Sequence, residues 1–121
     1  MYEIKVIKDK DSKIAEVLSE EIVVKTVDDI LDLMGNLYFE NITNIMMHMH
    51  HFPEQFFDLK TRFAGEILQK FSNYRVRLAI IGNFNAYDSD SFQAFIRESN
   101  RGNQIFFLPD RTAAIERLSQ K

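Results

Sequence analysis

A single α/β domain with a mixed sheet of four or five strands is what this sequence predicts, and three features predict it. An apolar-striped run from Phe57 to Phe71 leads through Ser72-Asn73-Tyr74 into Arg75-Val76-Arg77-Leu78-Ala79-Ile80-Ile81-Gly82. That is the pattern of an amphipathic helix feeding a buried strand that stops at a glycine. Comparable helix-then-strand units precede and follow it, and strands joined through single helices cross over right-handed into a parallel sheet. Two short alternating runs at the N-terminal end read as an antiparallel hairpin, which makes the sheet mixed. The predicted order is β-β-α-β-α-β-α-β-α, in one domain over residues 1–121.

Residues 2–8 and 13–19 carry the hairpin strands: Tyr2, Ile4 and Val6 alternate with Glu3 and Lys5, and Asp9-Lys10-Asp11-Ser12 supplies the turn. Thr26-Val27-Asp28-Asp29 resembles a capping box. Ile30, Leu31, Met34, Leu37 and Tyr38 then recur at helical spacing, with Gly35 weakening that helix slightly. Ile42–His50 reads as a strand. Pro53 is placed to open the next helix, whose inner face takes Phe56, Leu59, Phe63, Ala64, Ile67, Leu68 and Phe71. A strand over 75–82 and a polar loop over 82–90 follow. Ser89 or Ser91 caps a helix carrying Phe92, Phe95 and Ile96, and Gly102 suits a left-handed ending. Gln104–Leu108 is a strand, and Pro109-Asp110 starts a last helix with Ala114, Ile115 and Leu118 inward.

Composition narrows the function classes. Hydrophobic residues at 45% and charged residues at 27% describe an ordinary globular chain. A net charge of -3 lacks the basic surplus that binding a phosphate backbone needs, so no nucleic-acid partner is expected. The absence of cysteine excludes disulfides, zinc–thiolate sites and thiol catalysis, and suits a reducing cytoplasm. Met1-Tyr2-Glu3-Ile4-Lys5 has no apolar leader, and no apolar run is long enough for a membrane span.

The most suggestive motif is His48-Met49-His50-His51. On a strand His48 and His50 would share a face, but a stable metal site wants three or four convergent ligands, so no metal and no cofactor is expected. His51, near the strand's carboxyl end, has the better functional prospects. The loop Gly82-Asn83-Phe84-Asn85-Ala86-Tyr87-Asp88-Ser89-Asp90 also follows a parallel strand, where ligands of open α/β sheets collect. Asn83, Phe84, Asp88 and Ser89 could gather there with His51 and Asp58 as a ligand site, while the same residue types also serve as turn and cap formers. Glu54 and Asp58 would share a helical face, mainly complementing its dipole. Arg75 and Arg77 would share a strand face. With 11 phenylalanines to bury, at least one ring among Phe56, Phe57, Phe84 and Tyr87 is expected in an exposed apolar patch used for dimerisation or docking.

Phe56-Phe57-Asp58-Leu59, Ala64-Gly65-Glu66-Ile67-Leu68-Gln69-Lys70-Phe71, Leu78-Ala79-Ile80-Ile81-Gly82 and Glu98-Ser99-Asn100-Arg101-Gly102 resemble the signature of an uncharacterised bacterial domain-of-unknown-function family. The order of elements is similar to that of STAS domains, and the resemblance spans about residues 28–118. It implies a SpoIIAA-like fold and a regulatory role. Phosphorylated STAS regulators carry Asp-Ser-Ser-Gly where this chain has Asp58-Leu59-Lys60-Thr61, so Thr61 is the one hydroxyl left near that position. The resulting expectation is a non-catalytic cytoplasmic module acting on an unknown protein partner or as a homodimer. The alternative is a small-ligand binder with an apolar or anionic pocket at the strand ends. An enzyme using His51 with Asp58 or Asp88 is set aside.

Overall fold

A computed structural model describes residues 2–120 of the chain. The strands are β1 (Glu3–Asp9), β2 (Ser12–Leu18), β3 (Asn44–His48), β4 (Arg77–Ile81) and β5 (Ile105–Leu108), and the helices are α1 (Val27–Tyr38), α2 (Phe63–Tyr74), α3 (Asp90–Arg101) and α4 (Arg111–Ser119). They alternate in the predicted order. The sheet runs β1-β2-β3-β4-β5, so each strand neighbours the one before it. β1 pairs antiparallel with β2, and the remaining pairs are parallel.

That sequential order dictates the layers. Right-handed crossovers that always step the same way put α1, α2 and α3 on one face. The alternation of the strands agrees. Ala15, Val17, Ile45, Met47, Leu78, Ile80, Ile105 and Phe107 meet Ile30, Leu33, Leu37, Ala64, Ile67, Phe71 and Phe92 in the larger core. Their strand neighbours Ile14, Met46, Ala79, Ile81 and Phe106 turn to the other face and meet Ala114 and Leu118 of α4. Phe106 and Phe107, adjacent on β5, therefore anchor opposite layers. Among the described residues no helix is long and apolar enough to cross a membrane.

The local signals explain most boundaries. Thr26 caps α1 with a full capping box: Asp29 N–H donates to its Oγ1 at 3.3 Å, and Asp29 Oδ2 accepts from Thr26 N–H at 3.0 Å. Ser89 rather than Ser91 caps α3, and Asp110 caps α4. Gly82 ends β4 because the backbone passes close to Met49, whose Cβ would lie 2.6 Å from a Cβ added there. Gly82→Ala is expected to destabilise the fold by about 1–3 kcal/mol, read as a lower urea midpoint at unchanged slope.

Five expectations need correction. The second helix does not open at Pro53. Two 3-10 turns, Glu54–Phe57 and Leu59–Thr61, come first, and α2 begins only after Arg62, which is left-handed at φ 65°. The cause is competition from side chains. Asp58 accepts from Lys60 N–H at 3.1 Å, and the Thr61 hydroxyl donates to the carbonyls of Gln55 and Asp58 at 2.6 and 2.9 Å. Glu54 and Asp58 thus never share a helical face. Gly102 is extended rather than left-handed, at φ -81° and ψ -164°, and its carbonyl accepts from Arg117. Arg75 lies outside β4 as the left-handed cap of α2 at φ 56°, so it shares no strand face with Arg77. Finally, none of Phe56, Phe57, Phe84 and Tyr87 is an exposed ring. The 3-10 turns tuck Phe56 and Phe57 inward, Phe84 packs edge-on to Phe107 at 5.1 Å, and half-buried Tyr87 stacks on Phe57 at 4.4 Å.

Candidate functional site

The connections after β3 and β4 meet at the carboxyl ends of the parallel strands. Phe57, Asp58, Leu59 and Lys60 form one wall of a cleft of about 420 Å³ there, and Ala86, Tyr87, Asp88, Ser89 and Ser91 form the other. The structure therefore brings Asp58, Asp88 and Ser89 together. Asp58 Oδ1 is held by Lys60 N–H, and Ser89 Oγ accepts from Phe92 N–H at 3.1 Å as the cap of α3. Tyr87 donates its hydroxyl to Glu54 Oε1 at 3.2 Å, and burial followed by the Glu54 charge raises its pKa. Gln93 ties the loop to α3 by donating to the carbonyls of Phe84 and Tyr87.

The other candidates lie elsewhere or inside. Asn83 turns its Oδ1 to Asn85 N–H at 3.2 Å and caps a short 3-10 turn, Phe84–Ala86. Phe84 belongs to the core. Thr61 is exposed, with its hydroxyl spent on the two carbonyls named above and on Phe63 N–H.

His51 is buried just past the end of β3, against residues 19–24. The motif leaves the strand at His48, and Met49–His51 forms a 3-10 turn, so the alternating face expected for His48 and His50 is lost. His51 Nδ1 accepts from His48 N–H at 2.9 Å, which leaves the proton on Nε2 to donate to the Ser19 carbonyl at 3.0 Å. His50 Nε2 reaches the same carbonyl at 2.8 Å, with the two rings 4.3 Å apart. Backbone bonds from Val23 and Val24 to the His51 carbonyl complete a clamp between residues 19–24 and the end of β3. Burial first, then the His50 and His48 charges, push the His51 imidazole down to about 4, against the opposing pull of the Ser19 carbonyl. Burial also lowers His48. Among the described residues no three His, Asp or Glu side chains converge to hold a metal.

Two features escaped the sequence reading. The first is Glu16 on β2, buried in the layer under α4. Arg111 grips it through Nε to Oε2 and Nη2 to Oε1, both at 2.9 Å, while His48 Nε2 stands 3.8 Å from Oε2. The Arg111 bonds hold its carboxyl below the ordinary carboxylate range despite burial. A charge amid Ile14-Ala15-Glu16-Val17 was the available signal. Arg111→Met should cost about 2–3 kcal/mol by stranding that carboxylate, whereas Glu16→Met with Arg111→Met should recover most of it, and chemical denaturation of the double-mutant cycle separates the two.

The second is an aromatic corner. Tyr38, Phe39 and Tyr74 are 74%, 87% and 61% exposed. Tyr38 ends α1 and Tyr74 ends α2, and both helices lead into adjacent parallel strands, so the rings occupy the same end of the molecule. Tyr38 and Phe39 meet edge-on at 5.7 Å. Tyr38 was placed on the apolar stripe of α1; the buried face ends one residue earlier, at Leu37.

Compared with known proteins, residues 9–118 match a family described as a domain of unknown function (DUF4180). No curated protein and no solved structure matches the chain.

Proposed function

We propose that this chain, which belongs to the DUF4180 family of domains of unknown function, is a non-catalytic regulatory module that docks a protein partner in the cytoplasm. The observation that carries the reading is the aromatic corner of Tyr38, Phe39 and Tyr74, since large rings left in water at one end of a small domain mark interaction surfaces. The use of polar groups supports it. His51, Asn83, Ser89 and Thr61 hold backbone segments in place, as the bonds above describe.

A STAS-like relationship supports a regulatory role by analogy: strands wound in sequence with their connecting helices on one face are what a SpoIIAA-like frame would have. Thr61 fits a switch on such a frame. Phosphorylation would take away the proton that binds the Gln55 and Asp58 carbonyls and add charge beside Asp58, loosening the turn that leads into α2.

The test is affinity capture from the native lysate with wild type and with Tyr38→Ser/Phe39→Ser. A protein retained by wild type, lost by the variant and rebound from purified components is the expected result. An identical set of bound proteins overturns the reading. The cleft, where Lys60 stands with Asp58 and Asp88, supports a second reading, a binder of small ligands, which predicts a co-purifying molecule lost in Lys60→Glu.

A further inference from the structure

The two edges of the sheet are treated differently. On β5 the outer backbone of Phe107 is closed by a side chain: Asn100 Nδ2 donates to its carbonyl at 3.1 Å, and Asn100 Oδ1 accepts its N–H at 2.7 Å. An amide from α3 stands where another strand would add. On β1 the described residues pair with β2 alone, so alternate N–H and C=O groups face outward along a strand that runs from Glu3 to Asp9. Val6 on this strand is 41% exposed, and Tyr2 and Ile4 are only half-buried.

We propose that two copies of this chain join through β1, antiparallel about a two-fold axis at Ile4, to form one continuous sheet. The side-chain sequence is self-complementary in that register. Directly opposed residues of an antiparallel pair share a face. Centring on Ile4 opposes Ile4 to Ile4 and Tyr2 to Val6 on the face that carries α1, α2 and α3, and Glu3 to Lys5, twice by symmetry, on the face that carries α4. Neighbouring registers fail. Centring on Lys5 opposes lysine to lysine, centring on Val6 opposes Glu3 to Asp9, and centring on Ile7 sets Ile4 against Lys10 and Val6 against Lys8. The register at Ile4 matches apolar with apolar and acid with base at every position from 2 to 6 while pairing the outward backbone groups.

The experiment is sedimentation equilibrium of the whole chain over a range of concentrations, with circular dichroism to verify each fold. Wild type should dimerise. Glu3→Lys opposes two lysine pairs and Val6→Lys places charge against Tyr2, so each should weaken association at least about tenfold. Lys5→Glu, which also faces Glu16 across the hairpin, should be monomeric alone and form a one-to-one heterodimer when mixed with Glu3→Lys, because that mixture restores both ion pairs. A merely structural role for these residues gives no such rescue. A wild type that stays monomeric, or dimers that persist equally in Glu3→Lys and Val6→Lys, would overturn the proposal. Those two variants decide it if Lys5→Glu does not fold.

Discussion

Acidification from pH 7 to pH 4 is expected to remove about 3 kcal/mol of folding stability through His51 alone. In the unfolded chain the imidazole takes up a proton near pH 6.5, while in the folded protein it resists until about 4. The unfolded state therefore binds more protons throughout that window, and stability rises with pH across it. The contribution is complete above about pH 6.5 and declines as pH falls toward 4. Burial is the main cause, and the geometry agrees with it: a second ring proton would sit on Nδ1, facing the His48 N–H that now donates to it. His48 is shifted the same way and adds to the slope. Glu16, held low by Arg111, contributes stability that is present above the usual carboxylate range and lost below it, extending the decline at the acid end. Urea midpoints at pH 7, 5.5 and 4 measure the effect. His51→Gln, which retains an acceptor and a donor but does not titrate, should flatten the curve; an unchanged slope would assign the acid sensitivity elsewhere.

Phe56→Ala should be among the most damaging single truncations, at about 3–5 kcal/mol. Phe56 is wholly buried and its ring contacts Phe52 at 4.5 Å, Phe57 at 5.1 Å and Phe63 at 6.4 Å. These rings join the irregular segment after β3 to the start of α2, so their loss opens a cavity where no regular hydrogen-bond ladder holds the backbone. Phe57 in turn supports Tyr87 across the cleft. The thermal midpoint should fall by more than that of Phe39→Ala, whose ring is already in water and whose change should leave stability nearly untouched. Comparable losses for the two variants would contradict the packing described.

The frame was legible in the sequence because its determinants are local. Alternation located the first strand of the hairpin, short apolar runs between helical stretches located the parallel strands, and the Thr26–Asp29 box marked the start of α1. The stretch from His48 to Arg62 was not legible as drawn. Its helical spacing of apolar residues is real, but Asp58 and Thr61 bond back to the chain and break one helix into turns. Among the candidate residues, Asp58, Asp88 and Ser89 do meet, because two loops from neighbouring parallel strands must. His51, Asn83 and Phe84 do not join them, since each side chain is drawn to a nearer partner. The Glu16–Arg111 pair joins residues 95 apart in sequence, and neither residue announces the other.

The order in which the strands lie has a kinetic consequence. Because every strand adds beside its immediate predecessor, the sheet can grow by closing short loops, without waiting for a distant segment to arrive. The exception is α4, whose Arg111 and Ser119 return to Glu16 and Asp9 near the beginning of the chain. Docking of that helix is then the late event on the folding route. Truncations at Ala114 and Leu118 should accelerate unfolding while leaving the refolding rate almost unchanged, and truncations at Ile45 and Leu78 should slow refolding.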